Sequence, residues 1–234
     1  MRNLRRIFST LLIALVCLVT GELSAQIIKG EAIVGMNLSQ VDGDEVYGFK
    51  KIGANIGAGV LIPFDRKGRW DVSLEVLFAQ KGSNQGPQYD DVDSLGNKLT
   101  GEYKLNLNYA EVPVLVMYTD KDFISAGAGF SWGRLVGVKE WEHGQQVEST
   151  TSNSGTYARN DFSILADVRI RVWQGLKFNL RYEYSLLKIR TRQFEDLAGE
   201  TWTRDQFNNV ISFRLIYVFN EKRSQEYYRN ARAQ

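Results

Sequence analysis

The sequence predicts an all-β fold, an eight-stranded antiparallel up-and-down β-barrel spanning a membrane, on three observations. Strands alternate apolar and polar residues over about ten positions, connections alternate short and long, and aromatic residues gather beside the short turns. The alternation is clearest from Phe162 to Leu186. Phe162, Ile164, Ala166, Val168, Ile170 and Val172 share one face, with Ser163, Leu165, Asp167, Arg169 and Arg171 between them. After Trp173-Gln174-Gly175 the pattern resumes, with Leu176, Phe178, Leu180, Tyr182, Tyr184 and Leu186 against Lys177, Asn179, Arg181, Glu183 and Ser185. Matching like faces sets Val172 opposite Leu176 and Asp167 opposite Arg181, across a three-residue turn in which Gly175 is free to be left-handed. A soluble sandwich with its apolar face inward has the same period, so the remaining chain must decide.

Residues 1–25 precede the barrel. Arg2, Arg5 and Arg6 make a basic start, Ile7 to Val19 an apolar run, and Leu23-Ser24-Ala25 a small-residue end, the pattern of a cleaved signal peptide. The run is short for an anchor helix. Cys17 lies within it and lacks the Leu-small-small pattern that lipid attachment wants.

The barrel is expected over 26–219. Glu31 to Gln40 is the first strand, with Ala32, Val34, Met36 and Leu38 on one face, and Phe49 to Phe64 the second, with glycines inward. A tight turn, Asp65 to Arg69, leads to the third strand, in which Trp70, Val72, Leu74, Val76 and Phe78 alternate with Asp71, Ser73 and Glu75. A polar loop over 81–102 precedes the fourth, Tyr103 to Tyr118. Its alternation blurs between Leu107 and Pro113, where a bulge is expected because proline cannot donate to a ladder. The fifth places Ile124, Ala126, Ala128, Phe130 and Trp132 outward and runs to about Trp141. Loop 142–156, strands six and seven, loop 191–206 and an eighth strand ending at Phe219 complete the ring. Short turns near 65, 120 and 174 alternate with long polar loops near 42, 90, 148 and 198, as periplasmic turns alternate with external loops in outer-membrane barrels. Phe64, Trp70, Tyr118, Phe123, Trp173 and Phe219 form an aromatic girdle at the short-turn ends, and Tyr103, Trp141 and Tyr157 are candidates for an upper one.

Lys and Arg number 29 and Asp and Glu 27; without residues 1–25 they become 26 and 26, which gives no electrostatic case for nucleic acid. Cys17 is the one cysteine, so residues 26–234 contain neither disulfide nor thiolate metal site.

Gln80-Lys81-Gly82, Tyr109-Ala110-Glu111-Val112-Pro113-Val114-Leu115 and Leu180-Arg181-Tyr182-Glu183-Tyr184, together with the signal and eight strands, resemble the PorT-type outer-membrane β-barrel family of Bacteroidota. The resemblance implies fold and location; for a subset of that family it implies a part in type IX protein secretion. The charged tail, 220–234, departs from barrels that finish on a terminal aromatic.

An eight-stranded barrel is filled by its own side chains. Glu75, Asp167, Arg169, Arg171, Arg181, Glu183 and Arg214 are therefore expected to form a lumen charge network with signs balanced locally, a structural plug rather than an ion path. Catalysis is not expected: His143, the one histidine, sits in a loop, and Ser149, Ser152 and Ser154 follow in a low-complexity run. Asp91 to Glu102 partly copies a calcium loop, but Leu95 stands where an oxygen is wanted. Neither cofactor nor metal is expected.

The sequence thus reads as an exported, monomer-capable, non-enzymatic outer-membrane protein, bathed in membrane lipid, that meets surface partners through its external loops. One alternative is a secretion component docking a periplasmic partner through Lys222, Arg223, Tyr227, Tyr228, Arg229 and Arg232. Another is a lipid-modifying enzyme.

Overall fold

The computed structural model describes residues 28–222, except 66, 93–95, 97, 153 and 196–199, together with 224 and 226. The expected signal peptide and most of the tail lie outside the described residues. Eight long strands follow one another: β1 (Lys29–Asp42), β2 (Lys51–Pro63), β3 (Trp70–Gln85), β4 (Tyr103–Asp120), β5 (Ile124–Glu142), β6 (Asn160–Trp173), β7 (Leu176–Ser185) and β8 (Thr201–Phe219). Each pairs antiparallel with the next, and β1 pairs with β8 from Gly30↔Phe219 to Asp42↔Phe207. Closure leaves the ring no free edge, so its backbone groups are satisfied without water.

Val76 is 63% exposed while its neighbour Glu75 is 0% exposed. Along β6, Phe162, Ile164, Val168 and Ile170 face outward, whereas Asp161, Ser163, Asp167 and Arg169 are buried. A water-soluble sandwich requires the opposite, and an apolar belt around the whole ring is stable only against acyl chains. Small residues on the inner face make room for the buried acids. A Cβ on Gly59 would lie 3.0 Å from Glu75 Cγ and 3.4 Å from Glu31 Oε2.

The short turns are locally determined. Asp65 Oδ1 accepts from the Arg69 and Trp70 amides at 2.7 and 3.1 Å, fixing the first. Lys121 and Asp122 take φ of 48° and 56° in the second. The third differs from expectation. Leu176 faces Trp173, not Val172, a bulge follows between Leu176 and Lys177, and the left-handed residue is Gln174 (φ 41°), not Gly175. Gly175 is required by close approach instead, since a Cβ there would meet the Val218 carbonyl at 2.6 Å. The bulge restores the phase, and Asp167 does face Arg181.

In β4 the alternation inverts rather than blurs. Leu105, Leu107 and Tyr109 are buried inside while Lys104, Asn106 and Asn108 face out, because this end carries its apolar residues into the lumen and its polar ones outside. The register shift falls between Asn108 and Tyr109, with Val136 of β5 the extra residue, not at Pro113. Pro113 instead sits in a gap of the β3–β4 ladder, between Leu74↔Val114 and Leu77↔Glu111.

Three of the expected loops contain strand, one of them through Gln145–Gln146, which folds back on Trp141–Glu142. Arg190–Glu195 pairs with Thr201–Gln206 as a ribbon that lengthens β8, and Asp91–Val92 pairs with Lys98–Leu99. With a single apolar pair, Phe194 stacked on Trp202, in the longer ribbon, such segments carry no sustained period-two hydrophobic signal.

Candidate functional site in the barrel lumen and its mouth

The inward positions of five strands deliver a central cluster. Arg169 donates to Glu31 Oε1 at 2.6 Å, Glu75 Oε1 at 2.8 Å and Asp167 Oδ1 at 3.0 Å. Arg181 donates to Glu75 Oε1 and Asp167 Oδ2, each at 2.7 Å. Arg214 reaches Glu75 Oε2 at 3.0 Å, Asp167 Oδ2 at 3.1 Å and Asn179 Oδ1 at 2.6 Å. Three guanidiniums thus meet three carboxylates, with signs balanced and planar forks sharing carboxylate oxygens. Glu31 was absent from the expected network, since a lone acid near a strand start gives no pairing signal.

A second cluster lies on the long-loop side. Lys81 Nζ is 2.6 Å from Glu111 Oε1, 2.6 Å from Glu183 Oε1 and 3.7 Å from Asp161 Oδ2, and it lies 5.1 Å from the centre of the Tyr109 ring. Glu183 belongs here rather than with the arginines. One cation faces three acids, so the expected local balance of signs fails in this layer. Asn208 and Ser185 donate to Asp161, each at 2.9 Å.

Arg171 joins neither cluster. It sits at the short-turn rim, where it donates to Glu221 at 2.7 and 2.9 Å and to the carbonyls of Asp122 and Gln174. Lys177 reaches Glu221 at 3.0 Å. Burial alone would raise the Glu221 carboxyl, but Arg171 and Lys177 hold it below its ordinary range. This contact ties the start of the tail to two turns.

Above Lys81 the lumen turns apolar, with Leu105, Leu107, Tyr109, Leu135, Val138 and Ile189 packed as a plug. Tyr103 and Tyr157 belong to this plug at 7% and 3% exposure, not to an upper girdle. Their hydroxyls donate to Glu140, which also accepts from Arg190 at 2.8 Å and Thr150 at 2.9 Å. Trp141 remains half-buried beneath Lys104. The short-turn set Phe64, Trp70, Tyr118, Phe123, Trp173 and Phe219 lies on the outer surface, with the Trp70 and Tyr118 rings 4.9 Å apart.

The four long connections meet over a cavity of about 350 Å³. Asp44, Tyr89, Glu102, His143 and Arg192 contribute to its lining. His143 Nδ1 accepts the Thr100 and Gly101 amides at 3.2 and 3.1 Å, which puts its proton on Nε2 and makes it a loop brace. His143→Ala should free those amides at a cost of about 1 kcal/mol to the loop, read as faster exchange at Thr100 and Gly101 with the barrel's melting unchanged. Among the described residues no group of three or more His, Cys, Asp or Glu is placed to hold a metal ion. Part of the expected calcium-like loop, Asp93 to Leu95 and Asn97, lies outside the described residues.

Burial pushes the Asp44 carboxyl up to about 6 from its ordinary 3.8, with Asp42 adding to the rise and Arg192 opposing it. The folded state therefore holds this proton more tightly than the unfolded state does. The stability that Asp44 contributes is fully present below pH 3.8 and is lost as pH rises to about 6, about 3 kcal/mol from this one group. Urea titration in lipid vesicles at a series of pH values should show that loss, while the Val46 amide, which donates to Asp44 Oδ1 at 2.8 Å, bonds the ionised carboxylate the more strongly and so opposes it.

The sequence matches the family described as outer membrane protein beta-barrel domain over residues 30–190. No curated protein matches it. Among solved structures, Ail, the attachment invasion locus protein of Yersinia pestis, is 15% identical, with 82% of this chain and 98% of that one covered and a TM-score of 0.47. Neisserial surface protein A is 12% identical, with 81% and 94% covered and a TM-score of 0.45. OprG from Pseudomonas aeruginosa is 13% identical, with 81% and 94% covered and a TM-score of 0.34.

Proposed function

We propose that this chain, which belongs to the outer membrane protein beta-barrel domain family and resides in the outer membrane, works through its external connections and not by conduction or catalysis. The observation that carries this reading is the stack of side chains across the lumen, two charge layers beneath an apolar plug. Purified protein in planar bilayers should give no porin-sized current, and neither should Arg181→Leu. Currents that Arg181→Leu abolished would make the charge layers an ion path and overturn the reading.

A PorT-type affiliation in Bacteroidota is the finer form of this proposal. What supports it is that the residues carrying the resemblance converge: Lys81 bonds Glu111 and Glu183 and lies over Tyr109. These motifs thus serve the barrel's interior, and a secretion role would fall to the external connections and the tail. In this reading 1–25 is removed on export, 26–219 is the barrel and 220–234 is periplasmic. Crosslinked pull-down from outer membranes that recovered secretion components would favour that role; recovery of none would leave the external loops as the working surface.

A further inference from the structure

We infer that the external mouth is a binding site for a small organic cation bearing a guanidinium or a primary amine. The inference rests on the proposed role of the external connections and names a ligand class for them.

Four carboxylates line the cavity, Asp44, Glu45, Glu102 and Glu142, against a single arginine, Arg192. Two are already occupied: Arg192 holds Glu142 at 2.6 Å, and Arg204 lies 3.6 Å from Glu45. Asp44 and Glu102 have no ion-pair partner among the described residues. Asp44 is only 4% exposed, and its Oδ2 makes no hydrogen bond, although the Ser83 hydroxyl is near enough to favour the charged form. A buried carboxylate without an ion-pair contact is costly even with Arg192 in the same cavity, and a further cation seated there lowers that cost.

The same walls already hold one guanidinium. Arg192 lies 5.1 Å from the centres of both the Tyr103 and Phe194 rings while it bonds Glu142, so rings and carboxylate together cradle it. Tyr89, 51% exposed, offers a further ring beside the two unpaired acids. Aromatic faces favour an organic cation over a hydrated metal ion. At about 350 Å³ the space suits a molecule of several heavy atoms.

The test is calorimetric titration of the full chain in nanodiscs with agmatine, which carries both a guanidinium and an amine, and with butylurea as a neutral analogue. Agmatine should bind saturably and butylurea should not. Asp44→Asn and Glu102→Gln should each weaken agmatine by about tenfold or more. Glu102 is not buried, so Glu102→Gln keeps the test open should Asp44→Asn fail to fold. Lack of saturable agmatine binding to folded protein, equal binding of butylurea, or an unchanged affinity in Glu102→Gln would overturn the site. Current measurements on the same preparation separate the two ideas: a silent barrel that ignores agmatine refutes the cation site alone, whereas porin-sized currents refute the closed lumen.

Discussion

Glu75→Leu should unfold the barrel or lower its stability by about 3–5 kcal/mol, the largest loss expected of any lumen substitution. Glu75 accepts from Arg169, Arg181 and Arg214 at 2.7 to 3.0 Å and is fully buried. Its removal leaves three guanidiniums facing only Glu31 and Asp167 in a buried site, where an uncompensated charge is costly. Adding Arg181→Leu restores the balance, so the double variant should be more stable than Glu75→Leu alone despite carrying one more substitution. Urea titration in lipid vesicles, followed by tryptophan fluorescence and heat-modifiable gel migration, measures both. Equal stability of Glu75→Leu and the unmodified chain would mean that the acid is not the hub of the cluster.

Val168→Arg should cost about 2–4 kcal/mol in a bilayer, whereas Val172→Arg, near the short turn, should cost about 1 kcal/mol or less. Both valines face out from β6, at 38% and 62% exposure. They differ in depth, since Val168 lies mid-strand and Val172 is next to the girdle residue Trp173. A depth-dependent penalty is the mark of a hydrocarbon slab; a soluble barrel would show little effect at either place. The same urea titration reads the difference, and the order should reverse for neither lipid length nor salt.

The orientation of the strands was legible because the outward residues of the two strands between Phe162 and Leu186 are apolar or aromatic while the inward ones, Leu165 apart, are polar or charged, a signal that needs only the period-two geometry of a strand. Partners on adjacent strands, Asp167 and Arg181, could be read from register. Partners across the lumen could not: Lys81 and Glu183 are 102 residues apart and meet only because the ring closes. Nothing local distinguishes Arg171, which reaches the rim, from Arg169 two residues earlier, which reaches the central cluster. The stretch Leu105 to Tyr109 misled because it lies beyond the lipid belt, where the polarity of inside and outside exchanges. The mouth cavity was illegible because its lining residues come from four connections, none of which carries a motif by itself.

The most direct test of the lipid-facing orientation is nitroxide scanning along β7 in a bilayer. With Cys17 the one cysteine, a protein lacking residues 1–25 accepts single cysteines without competing sites. Labels at Phe178, Leu180 and Tyr182 should collide freely with oxygen dissolved in the acyl chains and hardly at all with a water-soluble nickel chelate. A label at Asn179 should be shielded from both. Outward labels shielded from oxygen, or a chain that stays folded and monomeric in buffer without detergent or lipid, would contradict a lipid-facing apolar surface around a closed polar lumen.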